Sequence, residues 1–88
     1  MYAKQCAVVN RSGLHARPAA EFVMEAKKYA SKITIRRPEG EGVNAKSIVR
    51  LLAEGITCGT QVEIAADGAD EQQAVDNLVA LVESGFGE

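Results

Sequence analysis

Polar and apolar positions along the chain divide it into short, well-punctuated segments. Over residues 3–9, Lys4, Cys6 and Val8 alternate with Ala3, Gln5, Ala7 and Val9, an imperfect period of two that predicts a strand. Asn10-Arg11-Ser12-Gly13 breaks that strand with a polar, glycine-containing turn. From Ala16 to Tyr29 the period changes. Ala19, Phe22, Val23, Ala26 and Tyr29 recur at helical spacing and share one face. Pro18 falls in the first turn of this helix, where its missing N–H removes a donor without an intrahelical partner, so the helix is expected to begin beside His15.

Ile33 and Ile35 place a second strand over residues 32–37, and Pro38-Glu39-Gly40-Glu41-Gly42 turns the chain. Val43-Asn44 reads as a short returning strand of an edge hairpin. Ser47 to Ala53 reads as a short helix with Ile48, Leu51 and Leu52 apolar, Ser47 as its N-cap and Gly55 at its end. Residues 61–66 alternate cleanly as a further strand. After the Asp67-Gly68 turn, Asp70 and Gln73 are spaced as a capping box for a last helix, whose stripe is Ala74, Val75, Leu78, Val79 and Val82. Ser84-Gly85 marks its end.

The order is β-α-β-β-α-β-α, an α+β chain. Amphipathic helices need one sheet face to cover, and the alternating strands leave the other face wet. The expected architecture is a four-stranded, largely antiparallel sheet with three helices on one face. The 88 residues suit a single domain. With no tryptophan and few aromatic residues, its core must come mainly from Val, Ile, Leu and Ala.

Charge narrows the partners. A net charge of −2 lacks the concentrated positive field that nucleic-acid backbones require, and Arg36, Arg37 and Arg50 read as a solvated surface. No apolar run approaches the ~20 residues that span a bilayer. Cys6 and Cys58 lack metal-ligand spacing; a disulfide between them stays open, although two cysteines with no signal segment fit a reducing cytosol. No metal or cofactor is expected.

His15 is the one histidine, and it stands at a turn-to-helix junction rather than on an apolar stripe. A helix N-terminus presents unpaired N–H groups and a partial positive charge, both suited to a phosphate. A neutral imidazole nitrogen is a nucleophile. Arg17 adds a planar set of charged donors, and Ser12, the backbone around Gly13 and the helix-start amide of Ala16 are further candidates for phosphoryl oxygens. Against this stands the commoner role of a lone histidine as a polar surface residue. Physical reasoning alone reaches a phosphate or anion site. A conventional enzyme has less support: Glu21 and Glu25 read as a solvated helix face, and no nucleotide-binding glycine loop appears. Ser47 is either a plain N-cap or a cap that also accepts regulatory phosphorylation. Ile48, Leu51 and Leu52 beside it are either core or a docking surface for partner proteins.

The segment Ser12-Gly13-Leu14-His15-Ala16-Arg17-Pro18-Ala19 resembles the active-site segment of the HPr family, histidine-containing phosphocarriers of the sugar phosphotransferase system. Val43-Asn44-Ala45-Lys46-Ser47-Ile48 resembles that family's regulatory segment, and Ala66-Asp67-Gly68-Ala69-Asp70-Glu71 its turn into the last helix. The three matches fall in order and span the chain. The resemblance implies an open-faced β-sandwich, cytoplasmic and monomeric. In such a protein His15 would receive a phosphoryl group on Nδ1 from Enzyme I and pass it to EIIA proteins or domains, with Arg17 steadying the group in transfer. The chain would then be a regenerated intermediate rather than an enzyme. Ser47 maps onto the family's regulatory serine, which implies an HPr kinase/phosphorylase and a catabolite control protein as further partners.

Several positions depart from the serine-regulated branch of the family. Val49 and Leu52 stand where methionine is frequent, Arg50 replaces a frequent glycine, Glu54 takes a commonly apolar place, and the Pro38–Gly42 loop is a residue longer. None of them touches the His15 motif. Arg50, about one helical turn beyond Ser47, is placed to pair with a phosphate there.

Overall fold

Inward-facing apolar residues on alternate positions, set against helical stripes of matching length, account for the architecture. The computed structural model describes residues 1–87. Its elements are β1 (Tyr2–Ala7), α1 (Ala16–Ala26), β2 (Lys32–Arg36), β3 (Val43–Asn44), α2 (Ile48–Ala53), β4 (Gln61–Asp67) and α3 (Glu71–Glu83), followed by a 3-10 turn at Gly85–Gly87. The strands form one antiparallel sheet in the order β1-β4-β2-β3. Cys6, Val62, Ile64, Ala66, Ile33 and Ile35 point into the core, where they meet Phe22, Val23 and Ala26 of α1, Leu51 of α2 and Ala74, Val75, Leu78 and Val82 of α3. The opposite face carries Gln5, Glu63, Thr34 and Arg36, with Arg36 Nε 2.8 Å from Glu63 Oε1. Lys4 has the parity of the covered face, yet it lies at the sheet edge and reaches Asp76 of α3 at 2.8 Å, which explains the imperfect alternation of β1.

Several boundaries differ from the sequence expectation, among them the start of β1, at Tyr2 rather than residue 3. β1 stops at Ala7; Val8 is still buried, but its amide turns to Thr60 O. α1 ends at Ala26 rather than Tyr29, because Lys28 N and Tyr29 N bond to Glu25 O and Ala26 O, the tighter pattern of a terminating turn. β2 ends at Arg36, since Arg37 O is taken by Gly40 N in the hairpin turn. β4 runs one residue further, pairing Asp67 with Lys32. Cys6 and Cys58 are free thiols, one in the core and one exposed, and burial pushes the Cys6 thiol up to about 11.

The Asp70–Gln73 capping box does not form. Asp70 makes no side-chain cap; its carboxylate accepts from Ala30 N at 2.9 Å, from Ser31 N at 3.0 Å and from the Ser31 hydroxyl. Glu71 takes over at the helix start by accepting from Gly68 N at 3.1 Å. The Ser31 hydroxyl, followed by the Ala30 amide, holds the Asp70 carboxyl below its ordinary range. A depressed carboxyl contributes stability that is fully present above the unfolded value, about 3.9, and lost as pH falls through the folded one. Urea unfolding between pH 7 and pH ~3 is therefore expected to show stability falling with acid, and Asp70→Asn to flatten part of that fall. A variant as acid-sensitive as the parent would remove Asp70 from the explanation.

Candidate functional site

The loop before α1 is built around Gly13. Its φ is +66°, and a side chain there would begin 2.6 Å from Ile56 O and 2.7 Å from Thr57 Cα. Only glycine lets the loop lie this close to the segment entering β4. Leu14 N donates to Ile56 O at 3.0 Å, and the Leu14 side chain is fully buried. Gly13 N donates to Asn10 O at 3.1 Å, while Asn10 Nδ2 donates to Gly13 O at 2.8 Å. Both polar groups of Gly13 are thus engaged. Gly13 shapes the loop, and its backbone is not the free phosphate donor expected from the sequence.

His15 follows as the N-cap of α1, with extended backbone (φ −132°, ψ 163°), half-buried, and its ring makes no capping hydrogen bond. Ala16 then takes φ +52°, a left-handed conformation uncommon for alanine. Pro18 is buried and has no N–H to offer, and the first helical bond runs from Ala19 N to His15 O at 3.5 Å. The amides of Ala16 and Arg17 precede that bond and stand at the positive end of the helix. No acidic residue occupies the first turn, and Arg17 is exposed. Glu25, further along α1, is engaged by Lys28 and by the Tyr29 hydroxyl at 2.7 Å, which holds its carboxyl below the usual range. Such a carboxylate is set up as an ion-pair and hydrogen-bond partner.

Ser47 caps α2. Its Oγ accepts from Arg50 N at 3.3 Å, its own amide donates to Asn44 O, and Lys46 Nζ reaches Tyr29 O at 2.7 Å, tying the approach to α2 onto the end of α1. Ser47→Ala is expected to cost about 1 kcal/mol in urea unfolding, the ordinary price of such a cap; no change would mean that the 3.3 Å bond contributes nothing. The apolar residues of α2 divide unequally. Leu51 is fully buried and is corrected from docking surface to core, while Ile48, Leu52 and, more openly, Val49 at 73% exposure face outward.

The comparisons with known proteins agree with this geometry. Residues 2–84 match the family described as PTS-HPr, "PTS HPr component phosphorylation site". The phosphocarrier protein HPr of Haemophilus influenzae is 49% identical over 82 residues, 93% of this chain and 95% of that protein. The chain belongs to the HPr family. Among solved structures, HPr-C-His from Thermoanaerobacter tengcongensis superposes with a TM-score of 0.96 at 43% identity, covering 100% of this chain and 98% of that one. A structure described as an HPr dimer from the same organism gives a TM-score of 0.79 at 44% identity, covering 94% of each chain. Family membership makes this chain a phosphocarrier component of the phosphotransferase system.

Measured against the HPr motif, Ser12, Gly13, His15, Ala16 and Arg17 form one loop-to-helix junction, and α1 packs against α2, which carries Ser47 and the outward Ile48, Val49 and Leu52. Sequence reasoning missed Asn10 as more than a turn residue, and Ile56 and Thr57 altogether. Gly13 was the available signal for a close approach, but nothing local says which distant segment approaches it. Among the described residues, no helix is long and apolar enough to cross a membrane.

Proposed function

We propose that this HPr-family chain carries a phosphoryl group on His15, taken from Enzyme I and passed to EIIA proteins or domains in the cytoplasm. One observation supports this most: a half-buried histidine at a helix start, with no capping bond to its ring, no acidic residue in the first turn and Arg17 close behind. In the transfer, the bond from phosphorus to the donor breaks as a bond from phosphorus to Nδ1 of His15 forms, and the electron pair of the broken bond leaves with the donor. The phosphoryl oxygens then meet the positive end of α1, with the Ala16 and Arg17 amides, the Arg17 guanidinium and Ser12 as donors. Preorganised donors of this kind stabilise developing charge without having to be assembled during the reaction. Transfer to EIIA repeats the exchange in the other direction and returns the chain unmodified, so it acts as a carried intermediate with no turnover of its own.

Ser47 supplies the regulatory half of the reading. An HPr kinase/phosphorylase would phosphorylate its hydroxyl with ATP, and a catabolite control protein would bind the product across Ile48, Val49 and Leu52. A phosphoryl group on Ser47 would stand at the start of α2, where Oγ already accepts from Arg50 N, and the exposed Arg50 side chain is close enough in sequence to pair with the new charge. Arg50→Ala is expected to weaken binding of the serine-phosphorylated chain to that partner.

Phosphoenolpyruvate and Enzyme I should label the chain with an acid-labile, alkali-stable phosphoryl group that moves on to an EIIA acceptor. Failure of several competent Enzyme I proteins to label it would overturn carriage through His15 and leave the Ser47 module as the function. Sedimentation at working concentration checks the monomer expected for this carrier, since several solved relatives are described as dimers.

A further inference from the structure

We infer that Asn10 is a positioning residue for phosphoryl transfer, a buried amide that locks the Gly13–Leu14 peptide and thereby sets the direction in which His15 enters α1. The inference rests on His15 being the acceptor. Asn10 is 2% exposed, one of only two polar residues buried to this degree among those described. It lies beyond the end of β1, so the sheet does not require its side chain. It closes the turn twice. Its carbonyl accepts from Gly13 N at 3.1 Å, and its side-chain Nδ2 donates to Gly13 O at 2.8 Å. On the other side of the same peptide, Leu14 N donates to Ile56 O at 3.0 Å. The peptide plane between Gly13 and Leu14 is therefore held at its oxygen by Asn10 and at its nitrogen by the segment before β4.

Such a hold matters because of what comes next. His15 is extended and Ala16 is left-handed, so the two residues at the helix start sit in a conformation that a free loop would not favour. A conformation of this kind persists when its surroundings over-determine it, and the clamped peptide is the nearest rigid point before it. Gly85 of the C-terminal turn closes over Asn10, where an added side chain would lie 3.8 Å from Asn10 Cβ. Asparagine meets the chemical requirement. The Gly13 oxygen needs a donor in a buried place; alanine leaves it unpaired, and aspartate sets a carboxylate oxygen against it. Small losses of alignment at a reacting group are costly, with a misplacement of about 1 Å worth up to ~100-fold in rate.

The test compares wild type, Asn10→Ala and Asn10→Asp as substrates of Enzyme I at a temperature where each is fully folded by circular dichroism. The expected result is a fall in kcat of about 10- to 100-fold, with KM within about twofold, because the docking face is untouched. The His15 ring resonances in NMR should also broaden or split in both variants as the ring samples several orientations. Asn10→Ala buries no charge and carries the test if Asn10→Asp does not fold. A kcat within twofold of wild type in a folded variant overturns the inference, as does a loss that only follows the unfolded fraction. Absence of labelling in the wild type overturns the carrier reading and this inference with it. A labelled wild type with equally fast variants overturns this inference alone.

Discussion

Replacing His15 with alanine is expected to reduce Enzyme I-dependent labelling below detection, a loss of at least ~1000-fold, while moving the thermal midpoint by no more than about 2 °C. The two halves of this prediction have separate causes. No other side chain in the chain is an imidazole, so the nucleophile disappears and water or a hydroxyl cannot replace it in the same linkage. Stability is spared because the His15 ring makes no capping hydrogen bond and is only half-buried; its backbone carbonyl, which starts the helical bonding at Ala19, is retained. The measurement pairs radiolabel transfer from phosphoenolpyruvate with a thermal melt. Persistent acid-labile label in the folded variant would rule out His15 as the acceptor, and a collapse of the melt would reveal a structural role that its contacts do not suggest.

Gly13→Ala is expected to lower stability by about 2–4 kcal/mol and to slow labelling beyond what the unfolded fraction explains. The new methyl group would begin 2.6 Å from Ile56 O and 2.7 Å from Thr57 Cα, both backbone atoms that cannot rotate aside. Relief would require the loop to lift away, which stretches the Leu14 N–Ile56 O bond and draws a fully buried Leu14 out of the core. Gly55→Ala provides the control. Its φ of +61° is similar, but nothing lies within 4 Å of the added carbon, so it should show the left-handed penalty alone, about 1 kcal/mol. Equal costs for the two substitutions, read from urea unfolding, would mean that the close approach at Gly13 carries no energy.

The elements were legible in the sequence wherever periodicity was long or clean. Ile33 with Ile35, Val62 with Ile64 and Ala66, and the stripes of α1 and α3 are buried as their spacing predicts. Reading failed where one element answers to another far along the chain. Asp70 looks like the first half of a capping box, yet its oxygens serve Ala30 and Ser31, and no local pattern announces that. α2 shows the limit of periodicity in a short helix: Ile48, Val49, Leu51 and Leu52 are apolar within two turns, and burial selects Leu51 while leaving Val49 in water. At the His15 junction, the residues that share one stretch of chain were readable as a group. The clamp beneath them joins Asn10 to Gly13 and Leu14 to Ile56, and its second half crosses the fold.

Strand order has a consequence for biosynthesis. Of the four strands β1 is made before the others, yet its neighbour in the sheet is β4, the last of the four to be made. Ile56, the anchor for Leu14, also comes late. During synthesis the His15 loop is therefore held by its own short turn alone, with an unpaired strand in front of it, and non-local pairing of this kind is slow to form. The first of the four strands to be made is among the last to find its partner, so the His15 loop is not held from both sides until the stretch from Ile56 through β4 has emerged.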